Sequence, residues 1–164
     1  MFQVGDFVVY KKDVCKVKEI RQKYINGEDY YILVPIYDET LKIQVPTHNQ
    51  YGFIRNLISL EEVKNIISRI NEIRPIEVED RLLESEYKKL LQSGNHEDLI
   101  KIIKTTYLRN KDRIDHNKKI GEKDSNYFRL AEKYLYSEFS VILNLTVEET
   151  KNYIIKEVEK LKKT

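Results

Sequence analysis

The chain has 164 residues but no tryptophan, one cysteine, three prolines and five glycines. The single cysteine, Cys15, excludes an internal disulfide and fits a reducing compartment. The five glycines are isolated from one another, so the chain has no glycine-rich loop that could hold a phosphate. It also has no run of about 18 uncharged apolar residues, which excludes an ordinary transmembrane helix.

The overall charge is small, although charged residues are abundant. Apolar residues make up 41% of the chain and charged residues 34%, with a net charge of +2. Such a chain can bury a core, but its net charge alone does not indicate a nucleic-acid partner. The first residues alternate apolar and polar side chains and include Asp6, unlike a secretory signal peptide. We therefore expect a cytoplasmic protein of one domain or two small ones.

Few side chains have the spacing of a catalytic or metal site. The three histidines lie far apart, and with a single cysteine they give no zinc-ligand pattern. The pairs Glu61-Glu62 and Glu148-Glu149 stand at expected helix starts, where capping explains them better than acid–base catalysis. Cys15 is interpreted as a core residue, with a reactive thiol as the alternative. We expect no metal, no cofactor and no enzymatic activity; a small carboxylate-based hydrolase has no supporting cluster.

About five short strands are predicted in residues 1–56. Apolar side chains recur at every second position, as they do in the predicted fourth strand from Leu41 to Pro46. Asn26-Gly27 is typical of a type I′ hairpin turn, because both residues tolerate a positive φ. A short fifth strand is expected at 51–54. These elements favour a small SH3- or Tudor-like β-barrel.

The pattern becomes helical at Ser59. Capping boxes at 59–62 and 146–149 predict two helix starts, and Gly94 and Asn95 predict an end and a start. About five helices are expected, covering 60–73, 78–92, a third with Leu99, Ile102, Ile103 and Tyr107 inward, 124–143, and one from 146. Strands followed by helices indicate an α+β protein with two segregated domains, 1–56 and 60–164. Between residues 101 and 123, eight basic residues and three acidic ones give a charge of +5.

Several segments together resemble the CarD/CdnL family of bacterial transcription regulators. In the first domain they are Val4-Gly-Asp-Phe-Val-Val-Tyr10, Val14-Cys-Lys-Val17, Ile25-Asn-Gly27, Tyr31-Ile-Leu-Val34 and Val45-Pro46. In the second they are Leu90-Leu-Gln-Ser-Gly-Asn95, Tyr107-Leu-Arg-Asn-Lys-Asp-Arg113 and Leu130-Ala-Glu-Lys-Tyr-Leu135. The resemblance implies that a Tudor-like domain binds the β subunit of RNA polymerase. It also implies that the helical domain contacts promoter DNA near the upstream edge of the bubble, and that both stabilise the open complex.

An exposed sheet edge can bind a partner strand, and the predicted fourth strand is the candidate. With the resemblance, we expect the polymerase contacts at Arg21, Lys23, Lys42 and Gln44. The alternative is that Arg21, Lys23 and Lys42 are ordinary solvated charges. Four tyrosines also suggest an aromatic cage for a methylated cation, with strand packing as the favoured alternative: Tyr24, Tyr30, Tyr31 and Tyr37.

Basic residues of the helical domain are the expected DNA contacts, mostly to the backbone and with little base readout. The main set is Arg109, Lys111, Arg113, Lys118, Lys119 and Lys123, and the secondary set is Arg81, Lys88 and Lys89. A solvated helical face is the equal alternative. We expect the protein to be a monomer that binds DNA weakly.

The sequence also departs from the family. Family members commonly carry a tryptophan at the start of the second helix, wedged into the minor groove, where this chain has Asp80 or a neighbour. They usually have a basic residue at the position of Gln44. About five extra residues lie between Arg113 and Ile120. The alternative function is therefore an adaptor that binds polymerase or another protein and has lost the DNA wedge.

Overall fold

The chain divides into two compact units in the computed structural model, which describes residues 1–162. The first unit is Met1–Ile58, and the second begins at Ser59. The first is a five-stranded antiparallel sheet, and the second contains five α-helices. The fold class is therefore α+β. No helix within residues 1–162 is long and apolar enough to cross a membrane.

The sheet of the first unit is open. Its strands are β1 Phe7–Tyr10, β2 Asp13–Ile25, β3 Glu28–Pro35, β4 Ile43–Pro46 and β5 Ile54–Asn56. They lie in the order β4-β3-β2-β1-β5, so β4 and β5 are the two edges. Since these edges do not pair with each other within residues 1–162, the closure expected of a Tudor-like barrel is not confirmed.

The Asn26-Gly27 turn joins β2 to β3 as predicted. Asn26 and Gly27 have φ angles of 53° and 75°, the left-handed region that a type I′ turn requires at both central positions. The pairing of Ile25 with Glu28 closes the hairpin. Two register irregularities lie in the pairing of β2 with β3, and Lys23 (φ 47°) falls in the second, its amide donating to Asp29 Oδ1 at 2.9 Å.

One face of the sheet forms the core of the first unit. The core residues come from all five strands: Val8, Cys15, Val17, Tyr31, Leu33, Val45 and Ile54. The interpretation of Cys15 as a core residue is confirmed, because its side chain is 0% exposed. Burial, with a smaller contribution from Asp13, raises the pKa of the Cys15 thiol to about 12.

The edges of the sheet differ from prediction. The fourth strand begins at Ile43 rather than Leu41, and Leu41 is 45% exposed. The fifth strand begins at Ile54, because the preceding residues 47–53 form a looped turn with Asn49 and Gly52 at positive φ. Extended backbone thus starts later than hydrophobic alternation suggests in both strands.

The helices of the second unit are α1 Leu60–Ser68, α2 Asp80–Ser93, α3 His96–Asp115, α4 Glu122–Leu143 and α5 Val147–Lys162. The predicted extension of the first helix to Ile73 is wrong, since α1 ends at Ser68 and a 3₁₀ turn, Ile70–Glu72, follows. Lys104 Nζ donates to the carbonyl oxygens of Ile70 and, at 2.7 Å, Ile73, and so satisfies this tightened end. The fourth helix begins two residues before the predicted Asp124.

The predicted helix caps are present. Thr146 Oγ1 accepts from the Glu149 amide and Glu149 Oε1 from the Thr146 amide, both at 3.0 Å. Ser59 Oγ accepts from the Glu62 amide at 3.1 Å, but the Glu62 carboxylate meets the serine hydroxyl rather than a backbone amide. The other two caps are also confirmed, by the Asn95 side chain and by a left-handed Gly94.

The buried stripe of α3 differs from the predicted one. Leu99 and Ile102 are buried as expected, but Tyr107 is 56% exposed and its predicted inward position is wrong. The stripe instead passes through Thr106, which is 0% exposed, and from there helical spacing leads to Arg109 and Arg113. The inward face of α3 therefore becomes polar where a hydrophobic pattern had suggested an aromatic residue.

Candidate functional site

The outer side of β4 is an unpaired sheet edge within residues 1–162. β4 pairs only with β3, with Val45 opposite Tyr31, and the Thr47 amide extends the ladder to Asp29 O at 3.0 Å. Antiparallel strands exchange hydrogen bonds at every second residue. Val45 therefore faces β3, and Gln44 directs its backbone N–H and C=O away from the sheet. This edge can accept one further strand.

Side chains beside this edge form a platform, made of Arg21, Tyr24, Tyr30 and Gln44. The Arg21 guanidinium lies 4.7 Å from the Tyr24 ring centroid. Gln44 Nε2 donates to the Tyr24 hydroxyl at 3.2 Å, and Tyr24 packs edge-on against Tyr30 at 6.0 Å. Glu19 orients the guanidinium, since its Oε1 accepts from Arg21 Nε at 3.0 Å. The platform thus links β2, β3 and β4.

Two of the four predicted polymerase-binding residues, Arg21 and Gln44, come together in this platform. The side chains of Lys23 and Lys42 are exposed and make no hydrogen bond or ion pair within the described residues. Sequence reasoning missed Tyr24 as the residue that joins the other two. The alternation of side chains along β2 was the available signal for the side on which Tyr24 lies. The register irregularity between Arg21 and Ile25 interrupts that alternation, so the sequence pattern did not predict it.

The alternative aromatic cage is not assembled. Tyr31 is 1% exposed and belongs to the core, whereas Tyr37 lies outside the strands and is 47% exposed. Tyr24 and Tyr30 pack together, but Arg21 already lies over the Tyr24 ring. These four tyrosines therefore do not form a cage for a methylated cation.

A buried carboxylate organises the second unit. Asp124, the third residue of α4, is 3% exposed. Its Oδ1 accepts from the Tyr87 hydroxyl at 2.8 Å, and its Oδ2 accepts from Arg109 Nε at 2.9 Å and Arg113 Nη1 at 2.7 Å. Burial alone would raise the pKa of Asp124, but these three hydrogen bonds outweigh it and hold the pKa below its ordinary value. The carboxylate therefore ties α2 and α3 to α4.

Tyr87, Arg109, Arg113 and Asp124 form what we call the Asp124 cluster. Close packing around Arg113 completes it. A Cβ at Gly121 would collide with the Arg113 guanidinium, so any larger residue here would force that side chain to move. The Gly121 amide donates to Asn110 Oδ1 at 2.8 Å, which holds the turn before α4 in place. The cluster lines a cleft of about 370 Å³.

The predicted DNA-binding residues fall into two groups. Most pair with acidic residues: Arg109 and Arg113 with Asp124, Lys123 with Glu84 at 2.7 Å, Arg81 with Glu79 at 2.6 Å, and Lys88 with Glu84 at 3.8 Å. The others are exposed and make no side-chain ion pair within residues 1–162: Lys89, Lys111, Lys118 and Lys119. The structure thus separates a paired basic set from an unpaired lysine set.

Asp80, at or near the position expected for a wedge residue, is the first residue of α2, and its side chain is 83% exposed. Its Oδ1 accepts from Arg109 Nη1 at 3.1 Å. A carboxylate in the first turn also stabilises the helix by interacting with the positive end of the helix dipole. The residue therefore has a local stabilising role that a tryptophan would lack.

Within residues 1–162, no group of three or more His, Cys, Asp and Glu side chains is arranged to hold a metal ion. His96 and Glu138 form a pair at 2.8 Å, with the histidine ring stacked on Phe139.

In comparisons with known proteins, no protein-family model matches the chain and no curated protein matches its sequence.

Proposed function

We propose that the chain is a cytoplasmic transcription regulator of the CarD/CdnL type that binds the β subunit of RNA polymerase through its first unit. The sequence resemblance supports the partner, and the open β4 edge carries the proposal. In this proposal the first unit is a Tudor-like domain whose edge strand stays available. The protein acts by docking and has no catalytic activity.

Strand addition at β4 supplies both affinity and selectivity. An incoming strand would bond to the outward N–H and C=O of Gln44, which the ladder to β3 leaves unused. The adjoining platform offers Arg21 and Tyr24, residue types that contribute strongly to protein interfaces. Pro46 has no N–H to offer, so the pairing surface ends there. A short extended segment with an acidic side chain near Arg21 fits this edge.

Two substitutions of one residue separate these contributions. Gln44→Pro removes the outward N–H but leaves the pairing of Val45 with β3, whereas Gln44→Ala removes only the side chain. With purified full chain and β subunit, Gln44→Pro should weaken binding at least tenfold and Gln44→Ala only severalfold. Equal binding by wild type and Gln44→Pro would contradict strand addition.

We further propose that the second unit contacts promoter DNA weakly, through phosphates, and so modulates the stability of the open complex. The unpaired lysines Lys111, Lys118 and Lys119 support this role, whereas Arg109 and Arg113 hold the fold through Asp124. Three phosphate contacts would give a salt slope of roughly −2.7 in log K against log salt.

The second candidate is a polymerase-binding adaptor that has lost DNA contact. The exposed carboxylate of Asp80 favours it, because a phosphate would repel this group where the family has an apolar wedge. Titration of duplex and forked DNA at several salt concentrations discriminates the two. Salt-dependent binding that is lost in Lys118→Ala/Lys119→Ala and retained in Lys156→Ala favours DNA contact, and its absence favours the adaptor.

A further inference from the structure

Exposed aromatic rings cluster on the loop between β4 and β5. Tyr51 and Phe53 stack with ring centroids 5.5 Å apart, and Phe53 meets Tyr10 edge-on at 6.4 Å. Tyr51 is 74% exposed and Phe53 45% exposed. We call Tyr10, Lys11, Tyr51 and Phe53 the loop cluster. Tyr51 is the outermost ring of this cluster, and most of its surface is exposed to solvent.

Backbone contacts hold this loop in its exposed position. Asn49 Nδ2 donates to Ile54 O at 2.9 Å, and its Oδ1 accepts from the Ile54 amide at 3.1 Å. The Gly52 amide donates to Asn49 O at 3.0 Å, and the Lys11 amide to Phe53 O at 2.7 Å. The ring of Tyr51 is thus presented outward on a hydrogen-bonded loop, which is typical of a contact residue.

The charge of the loop cluster selects the ligand. Lys11 Nζ lies 5.4 Å from the Tyr10 ring centroid and 5.2 Å from that of Phe53. Because the protein's own ammonium occupies these two rings, a cationic ligand is disfavoured. The face of the Tyr51 ring that does not stack on Phe53 stays available to a ligand. Lys11, which lies over Phe53, and Lys12, next along the chain, supply positive charge nearby. This arrangement fits an anion that carries a planar group.

We propose that the loop cluster binds single-stranded nucleic acid, with a base stacked on Tyr51 and a neighbouring phosphate at Lys11. Aromatic stacking combined with backbone contacts from basic residues is the general mode of such binding. The site lies beside β1 and β5, on the loop that follows Pro46 at the end of β4. It uses the side chains of Tyr51 and Lys11 and not the backbone of Gln44, so the proposal does not require a partner strand at β4.

The absence of tryptophan from the chain allows a direct test. Tyr51→Trp in the full-length chain places a single indole at the proposed stacking position, and Tyr37→Trp is the matched control at another exposed tyrosine. A 12-nucleotide thymine oligonucleotide should quench the Tyr51→Trp emission saturably and leave the control unchanged. No quenching would overturn the proposal.

Affinity measurements test the two contacts separately. By fluorescence anisotropy of the labelled oligonucleotide, Tyr51→Ala should bind about 5- to 150-fold more weakly, the range for loss of one stacked base. Tyr51→Phe should bind like wild type. Lys11→Asn removes the charge while tolerating the positive φ of 57° at this position, and it should weaken binding and flatten its salt dependence.

Two further arms exclude other ligands. An abasic oligonucleotide of the same length should bind more weakly than the thymine oligonucleotide, and equal binding would show an electrostatic contact without stacking and overturn the proposal. Tighter binding of a polyglutamate or proline-rich peptide would assign the cluster to a peptide instead and overturn it as well. The effect of Tyr51→Ala should persist in a Lys118→Ala/Lys119→Ala background, so failure of DNA contact by the helices is distinguishable from failure here.

Discussion

Replacement of Asp124 by asparagine tests whether the Asp124 cluster holds the helical unit together. The asparagine side chain would fill the same volume and keep an acceptor for the Tyr87 hydroxyl, but it would remove the charge that Arg109 and Arg113 share. The two guanidinium groups would then lose the carboxylate that they share, and within residues 1–162 only Arg109 would keep an acidic partner, the exposed Asp80. The change therefore isolates the electrostatic part of the cluster.

The expected loss follows from burial. Breaking a fully buried ion pair costs about 3–5 kcal/mol. Here the Asp124 side chain taken alone is 5% exposed, but the Arg109 and Arg113 side chains are 32% and 26% exposed and can regain water. We therefore expect a loss of about 2 kcal/mol in the free energy of unfolding, below the fully buried range.

Asp80 provides the matched control, because its carboxylate binds the same Arg109 but is 83% exposed. Asp80→Asn should change the free energy of unfolding by less than about 0.5 kcal/mol. Urea unfolding at pH 7, followed by circular dichroism at 222 nm, measures both variants. Similar losses in the two would refute the argument that burial gives Asp124 its importance.

Comparison of wild type with Asp124→Asn also predicts a pH dependence of stability. The folded state lowers the pKa of Asp124 below its ordinary value of 3.8. Its contribution is therefore complete above about pH 5 and is lost as the pH falls through the lower, folded-state pKa. The stability gap between wild type and Asp124→Asn should narrow between about pH 5 and pH 2. Other carboxylates are common to both proteins, so a constant gap would contradict the assignment.

Two further predictions concern packing. Gly121→Ala should destabilise the chain by about 1 kcal/mol, because the added Cβ displaces Arg113. The Gly121 φ of −74° suits alanine, so backbone strain is not the cause. The loss should therefore be smaller in an Asp124→Asn background. A loss that is undiminished there would point to a cause other than Arg113. The thiol of Cys15 is 0% exposed and its pKa is raised to about 12, so Ellman's reagent at pH 8 should not react with it until guanidinium unfolds the protein. Rapid reaction of the native protein would show that this core opens readily.

Local signals in the sequence predicted local structure well. Asn26-Gly27 and the boxes at Ser59 and Thr146 act within four residues, and each gives the expected turn or helix start. The boundaries of β4 and α1 were less predictable. Leu41 continues the alternation but lies outside β4, and Ile73 continues the helical spacing although the helix tightens after Ser68.

Long-range polar contacts were not predictable from periodicity. Arg109 and Arg113 appeared as part of a basic, outward surface because lysines surround them. In the structure they continue the inward stripe of α3 toward Asp124, which lies 15 and 11 residues away in the chain. The helical spacing from Ile102 through Thr106 to Arg109 was the available signal, since a charged residue on an inward stripe needs a buried partner. The sequence pattern alone could not identify that partner.

Amide hydrogen exchange in the presence and absence of the RNA polymerase β subunit tests strand addition at β4 most directly. The Gln44 amide faces away from β3 and should exchange at least tenfold more slowly in the complex. The Val45 amide already faces β3 and should change little. Complex formation without protection of Gln44, or no complex at all, would contradict the proposed docking of this edge.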